Sequence, residues 1–396
     1  MMIARIERAP QGDARIAAAS GSPRVVRRLC VVVPVHWSAR MGGAQYQAQR
    51  LVEYLVGRYD VDVHYLTVDH DPTYRPVGHR IVPVSSRRGI RRYGMFFDCR
   101  RLYRQLARIR PDAILQTVAC GHTGIAAFYA KRNDCLMAWR VSSDRNVEPA
   151  TPPWWRPHHR VERRFVEYGI RNADIVIAQT EWQRQALAQR FRRQDAVVIR
   201  NFHPTPPDPG PKPAKKRILW VGNAKPLKNP AAFIRLAARY ADRADVEFIM
   251  IGGLMDDGPW TRGVLQSIEL TPNITYLGAC PQEQVNAELE RAYLLVNTSD
   301  YEGFSNTFVQ AWMRRVPVLS LNVDPDGLLS RQGLGCVSGD EGRLGADLDR
   351  LLDDPQRVGH IGRRCREYAV THHSDANIDE LARLLRLRPI TENRAG

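Results

Sequence analysis

The feature that most constrains this chain is an alternation of short apolar runs with amphipathic segments that occurs twice, once on each side of the Pro-rich stretch HPTPPDPGPKPAK. Apolar runs of strand length alternating with helix-length patterns predict parallel sheets wrapped by helices. A Pro-rich segment between two such series marks a domain boundary. The expected fold class is therefore α/β, with two Rossmann-like doubly wound domains. The divisions read from the sequence are a tail over 1–27, a first domain over 28–203, a linker over 204–216, a second domain over 217–372 and a C-terminal helix over 373–396 that returns to the first domain.

In the first half, LCVVVPV, VDVHYLTV, DAILQTVA, CLMAWRV, ADIVIAQT and AVVIRNF read as strands, and residues 72–92 as irregular. In the second, RILWVGN, VEFIMIGG, ITYLGA, YLLVNTS and PVLSLN read as strands, with a loop between the second and third. Two such domains place ligands beyond the carboxyl ends of their strands, in the cleft between them.

Composition excludes several classes. At 396 residues with 44% apolar and 25% charged residues the chain suits two globular domains. It has no run of about 18 apolar residues that would span a bilayer, and residues 1–27 lack the apolar core of a secretory signal. The cysteines Cys30, Cys99, Cys120, Cys135, Cys280, Cys336 and Cys365 are odd in number and far apart, which fits a reducing, cytoplasmic compartment better than a disulfide framework or a structural zinc site. The formal charge of +16 is almost all arginine, scattered through helices. Such a surface suits an anionic membrane face, as a peripheral protein of the inner plasma membrane would need, better than a nucleic-acid groove. A plain compositional bias towards Arg fits nearly as well.

The chemistry concentrates in NTSDYEGFSNTFVQAW, residues 297–312. A strand runs into a turn carrying Glu302, Gly303, Phe304, Ser305 and Asn306, and a helix follows from about Thr307. Free amides and the positive helix end favour a phosphate there, and Gly303 lets it approach closely. Glu302 would accept hydrogen bonds from sugar hydroxyls, and Gln310 would reach a diol such as a ribose. The bland alternative is a strand–turn–helix in which Ser305 or Asn306 is only an N-cap.

EGF-x-NTF-x-QAW followed by RRVPVLSL resembles the signature of the family 4 retaining glycosyltransferases, which have the GT-B fold. In that family a Glu, seven residues and a second Glu hold the sugar and ribose of a nucleotide-sugar donor; Glu302 and Gln310 occupy those positions here. WVGNAKPLKNP resembles the family's phosphate loop, with Lys228 at its Lys position, Asn223 where Arg is usual and Lys225 as a substitute cation. MGGAQ, with Gly43, resembles the Gly-Gly loop near the donor phosphates. NITYLGACPQ resembles the turn against the nucleobase, with Gly278 and Cys280. His122 in CGHTG matches a position facing the reacting sugar. Asp144 and Arg145, at another strand end, would contact the acceptor or cap their loop.

The resemblance implies a metal-independent transfer from a nucleoside diphosphate sugar to a glycan or lipid-linked saccharide, as in cell-surface polysaccharide synthesis. The catalytic residues would be Glu302, Lys228 and His122, with Thr307 also at the donor site and no cofactor beyond the donor itself. The pair Asp256 and Asp257 sits in a variable loop and is not expected to bind metal. Two further readings stay open: a GT-B epimerase or phosphorylase, and a nucleotide-sugar-binding protein without catalysis. A nucleic-acid binder rests on charge alone.

Overall fold

The computed structural model describes residues 25–84, 94–148, 157–254 and 258–390. Asp256 and Asp257, most of the expected N-terminal tail and the end of the C-terminal segment lie outside them. The first sheet contains β1 (Arg28–Val32), β2 (Asp62–Thr67), β3 (His79–Pro83), β4 (Ala113–Thr117), β5 (Leu136–Arg140), β6 (Ile175–Ala178) and β7 (Val197–Val198). Its helices are α1 (Gly43–Arg58), α2 (Gly94–Ile109), α3 (Gly121–Ala130), α4 (Pro157–Asn172) and α5 (Glu181–Phe191). The second contains β8 (Lys216–Val221), β9 (Val246–Ile251), β10 (Ile274–Gly278), β11 (Leu294–Asn297), β12 (Val318–Ser320) and β13 (Gly335–Val337). Around it lie α6 (Pro230–Ala238), α7 (Pro259–Glu269), α8 (Gln282–Arg291), α9 (Asn306–Trp312), α10 (Glu341–Asp353) and α11 (Pro355–His372), and α12 (Ala376–Leu384) follows.

The strand orders are β3-β2-β1-β4-β5-β6-β7 and β10-β9-β8-β11-β12-β13, with parallel pairing throughout. This is the doubly wound arrangement, and it fixes where each sheet reverses direction: between β1 and β4, and between β8 and β11. The central strands are mostly apolar because helices cover both faces; β4 and β11 are buried at every residue, and their polar residues Gln116, Thr117 and Asn297 stand at the carboxyl ends. Each sheet thus separates two apolar clusters, one on either face.

Two elements depart from the sequence expectation. Within the stretch expected to be irregular, HRIVP forms the edge strand β3, which pairs with β2 alone and so needs no long apolar run. The expected loop after β9 contains α7, which starts at Pro259 and buries only Thr261, Val264 and Ile268. So thin an inward stripe gives little periodicity to read.

The linker is strapped down. Lys212 Nζ donates to the carbonyls of Glu290 and Arg314 at 2.8 and 2.9 Å, and Asp208 pairs with Arg366 at 2.9 Å and with Arg315. Beyond α11 the chain returns to the first domain. There α12 sets Ile378, Leu381 and Ala382 into the cluster formed by β1 and α1, while Asp379 accepts from the hydroxyls of Tyr54 and Tyr59.

Candidate active site

The strand-end loops of the second sheet meet at its switch point. The Lys228 carbonyl accepts from Thr298 Oγ1 at 2.9 Å, and the Leu227 carbonyl from the Asp300 amide at 3.0 Å. These bonds stitch the loop after β8 to the loop after β11, and the side chains follow. Lys228 Nζ lies 2.6 Å from Glu302 Oε1, which also accepts from Asn297 Nδ2 at 2.8 Å and Ser299 Oγ at 2.5 Å. Burial pushes the Glu302 carboxyl up, but Lys228 and the Ser299 and Asn297 bonds outweigh it and hold the group below the usual carboxylate range. A half-buried carboxylate fixed by a cation and two neutral donors is a rigid acceptor for hydroxyl groups.

The lysines near the linker divide by role. Lys212, Lys215 and Lys216 are engaged with Glu290 and Arg314 carbonyls, Glu247 and Asp245 respectively. Lys225 is exposed just ahead of the short helical turn Pro226–Lys228, and Asn223 is exposed beside it. The turns after β8, β9 and β10 lie in a row, since Gly222 N donates to Ile251 O and Gly252 N to Gly278 O. Gly252 has φ +151°, and a Cβ there would come within 1.8 Å of the Gly222 carbonyl, so only glycine allows these loops to touch. Gly278 and Cys280 stand at the end of this row, with Cys280 Sγ directed at the Leu277 and Gly278 carbonyls.

The turn after Glu302 serves the seam between the domains, which the sequence did not reveal. A Cβ on Gly303 would sit 3.2 Å from the Asp144 amide, so the missing side chain makes room for the first domain as well as for any ligand. Asn306 is the hub: its Oδ1 accepts from Gln47 at 3.1 Å and Asn201 at 3.0 Å and lies 3.2 Å from His203 Nε2, while its Nδ2 donates to the Gly43 carbonyl at 3.1 Å. Phe304 is buried against His373 and Trp312. Ser305 stands at the N-cap position just before α9, yet its hydroxyl pairs with Thr307 at 2.8 Å and caps no amide. Gln310, expected to face a ribose, is buried and bonded to Tyr46 of the first domain. Its side chain would have to leave Tyr46 to meet a donor.

On the first domain, His122 falls in the first turn of α3, where a loop was expected, and is buried. Burial lowers its pKa to about 4, so it is a neutral hydrogen-bonding group near pH 7. Asp144 Oδ1 accepts from Gln183 Nε2 at 2.6 Å, and the Arg145 guanidinium lies over the Tyr301 ring at 5.8 Å. It is Asn146 that caps this turn, accepting from the Ser142 and Ser143 amides. Burial raises the Asp144 carboxyl to about 6, against the Gln183 bond and with help from Glu148.

Two family models match the chain, "Glycosyltransferase Family 4" over residues 41–205 and "Glycosyl transferases group 1" over residues 215–354. An MMP alpha-(1->4)-mannosyltransferase of Mycolicibacterium hassiacum is 28% identical over 246 residues, 58% of this chain and 59% of that protein. The chain thus spans little more than half the length of that relative. Among solved structures, sucrose-phosphate synthase from Thermosynechococcus elongatus matches with a TM-score of 0.73 at 18% identity, covering 91% of this chain and 98% of that one. Anabaena HepE, in complex with UDP and glucose, matches with a TM-score of 0.71 at 14% identity, covering 91% and 99%. The two matched segments fall on the two sheets, the whole arrangement is that of GT-B structures, and the chain belongs to the family 4 glycosyltransferases.

Proposed function

We propose that the protein is a retaining, metal-independent glycosyltransferase that moves a sugar from a nucleoside diphosphate sugar to a hydroxyl of a glycan or lipid-linked acceptor. The observation that carries this reading is the Lys228–Glu302 pair at the switch point of the second sheet. Lys228 with Lys225 and the amides following Glu302 would neutralise the diphosphate as charge develops on it. Glu302 would fix the sugar hydroxyls. No side chain is assigned as a covalent nucleophile: in front-face transfer the leaving phosphate itself helps to deprotonate the acceptor, and the protein supplies orientation and charge stabilisation. The HepE complex with UDP and glucose supports a UDP sugar as the first donor to try, and the mannosyltransferase relative supports testing a mannosyl donor beside it. The first domain would hold the acceptor, and the basic surface would favour work at an anionic membrane; no helix among the described residues is long and apolar enough to cross one.

Incubating the chain with UDP-glucose and GDP-mannose, with and without saccharide acceptors, tests the reaction. Acceptor-dependent release of the nucleoside diphosphate, with an NMR coupling constant showing the donor's anomeric configuration kept, is the expected result. Inverted product, or turnover only with added divalent metal, contradicts it. The burial of Gln310 and the exposed Asn223 favour one second reading, a donor-binding protein without catalysis, which would bind nucleotide and release none.

A further inference from the structure

Three donors meet one oxygen of Glu302 and leave the other open. Lys228 Nζ, Asn297 Nδ2 and Ser299 Oγ reach Oε1 at 2.6, 2.8 and 2.5 Å, whereas Oε2 has no donor among the described residues. A carboxylate oxygen offers about two lone-pair directions, so Oε1 is saturated while Oε2 keeps its accepting capacity. Lys228 gives one of the three hydrogens of its ammonium to this contact and keeps the others, so the pair need not part for a phosphate to be held. The half-buried carboxylate is therefore gripped by one edge.

The gripping residues come from the end of β11, in alternation. Asn297 and Ser299 face Glu302, and Thr298 between them faces the loop after β8, accepting from Trp220 Nε1 and donating to the Lys228 carbonyl, both at 2.9 Å. Asn297 and Ser299 also lock each other: the Ser299 amide donates to Asn297 Oδ1 and Asn297 Nδ2 to Ser299 Oγ, both at 3.3 Å. The Asn297 carbonyl accepts from the Leu321 amide at 2.7 Å, which fixes the strand end itself. At 7%, 0% and 1% exposed, Asn297, Thr298 and Ser299 offer a ligand almost no surface, so they act through Glu302 and Lys228.

We propose that Asn297 and Ser299 are positioning residues: by occupying Oε1 they fix the plane of the Glu302 carboxylate and reserve Oε2 for hydroxyl groups of the sugar being transferred. The assignment rests on the reading of Glu302 as the group that meets that sugar. It divides donor recognition into two parts. A nucleoside diphosphate, which lacks the transferred sugar, is indifferent to Ser299, and the nucleotide sugar is not. The Ser299 hydroxyl meets a charged acceptor at the short end of the range for such bonds, so it holds the carboxylate more firmly than a neutral pair does.

The test compares the full chain as wild type, Ser299→Ala, Ser299→Thr and Asn297→Ala. In the free protein, 13C NMR with labelled glutamate carboxyls follows the titration of Glu302, its signal assigned by its loss in Glu302→Gln. Burial raises this carboxyl and its donors lower it, so Glu302 should titrate at higher pH in Ser299→Ala and return towards the wild type in Ser299→Thr, which keeps the hydroxyl. Calorimetry then sets UDP against UDP-glucose, and GDP against GDP-mannose. Affinity for the nucleoside diphosphate should stay unchanged in Ser299→Ala, while affinity for its sugar falls by about three- to tenfold and recovers in Ser299→Thr. If Asn297→Ala does not fold, the two Ser299 variants carry the test. Titration at the same pH in the wild type and Ser299→Ala overturns the proposal, and so does an equal loss of affinity for nucleotide and nucleotide sugar, which a merely structural role produces. If no nucleotide or nucleotide sugar binds the wild type, the donor reading falls, and the NMR titration still decides whether Ser299 holds the carboxylate.

Discussion

Lys228 Nζ stands 2.6 Å from Glu302 Oε1, although 74 residues separate them, because β8 and β11 are neighbours in a sheet whose winding reverses between them. The strand-end loops that carry these two residues are hydrogen-bonded to each other, so the pair is set by backbone and not by chance meeting of long side chains. That makes it a preorganised element in the sense that catalysis by electrostatic stabilisation requires.

Replacing Glu302 by Gln keeps the shape and removes the charge. Turnover should fall by roughly 10- to 100-fold, the equivalent of one charge-assisted contact of about 1.5–3 kcal/mol. The fold should remain intact, because Asn297 and Ser299 still find an acceptor. Steady-state rates and a circular dichroism melt check both halves; full activity would remove Glu302 from its assigned role.

Asp144 makes a pH prediction. Its carboxyl is raised from 3.8 to about 6 in the folded protein, chiefly by burial against the second domain. A raised carboxyl favours the folded state fully below the unfolded pKa and loses that contribution as pH rises through the folded one. Relative to Asp144→Asn, the wild type should therefore lose stability between about pH 4 and 7. The difference is on the order of 1 kcal/mol after discounting for partial exposure. Melting temperatures of both proteins across that range provide the check, and parallel curves would contradict it.

Asn306 ties Gly43, Gln47, Asn201 and His203 to the second domain. Asn306→Ala leaves the Gln47 and Asn201 amides short of an acceptor and should cost roughly 2–3 kcal/mol of stability, judged from about 1 kcal/mol for each net hydrogen bond. Urea unfolding measures it. A change below about 0.5 kcal/mol, the level of an ordinary surface substitution, would mean the seam is held by other contacts.

Asp326, on the second domain, accepts from the amides of Glu181 and Trp182 at 2.9 and 3.1 Å, while Thr180 caps the amide of Gln183. The start of α5 is thus finished by a residue from the opposite domain. Asp326→Ala should cost about 1 kcal/mol, typical of a lost cap. Hydrogen exchange should quicken at the amides of 181 and 182 and stay unchanged deeper in α5. Unchanged exchange at both amides would show that the bonds do not persist in solution.

The double winding was legible because central strands buried on both faces are mostly apolar, as VVV, AIL and LLV are. Lys228 and Glu302 came to one expected donor site through the resemblance to the family 4 glycosyltransferases and not through the alternation, and nothing in the sequence announced that the two side chains pair with each other. The β3 edge strand and α7 were not legible, since one pairs on a single side and the other buries only three residues. The seam was invisible for a different reason: contacts such as Gly303 with Asp144, Asn306 with Gly43 and Gln310 with Tyr46 join distant segments whose sequences carry no mark of each other.

The measurement that tests the central claim most directly is calorimetric binding of UDP, GDP and ADP to the purified chain, with Lys228→Ala alongside. One nucleotide should bind the wild type and bind the variant about 10- to 100-fold more weakly, matching the loss of one charge-assisted contact. Equal affinity in both proteins, or no binding to the wild type, would contradict a donor site built on Lys228 and Glu302.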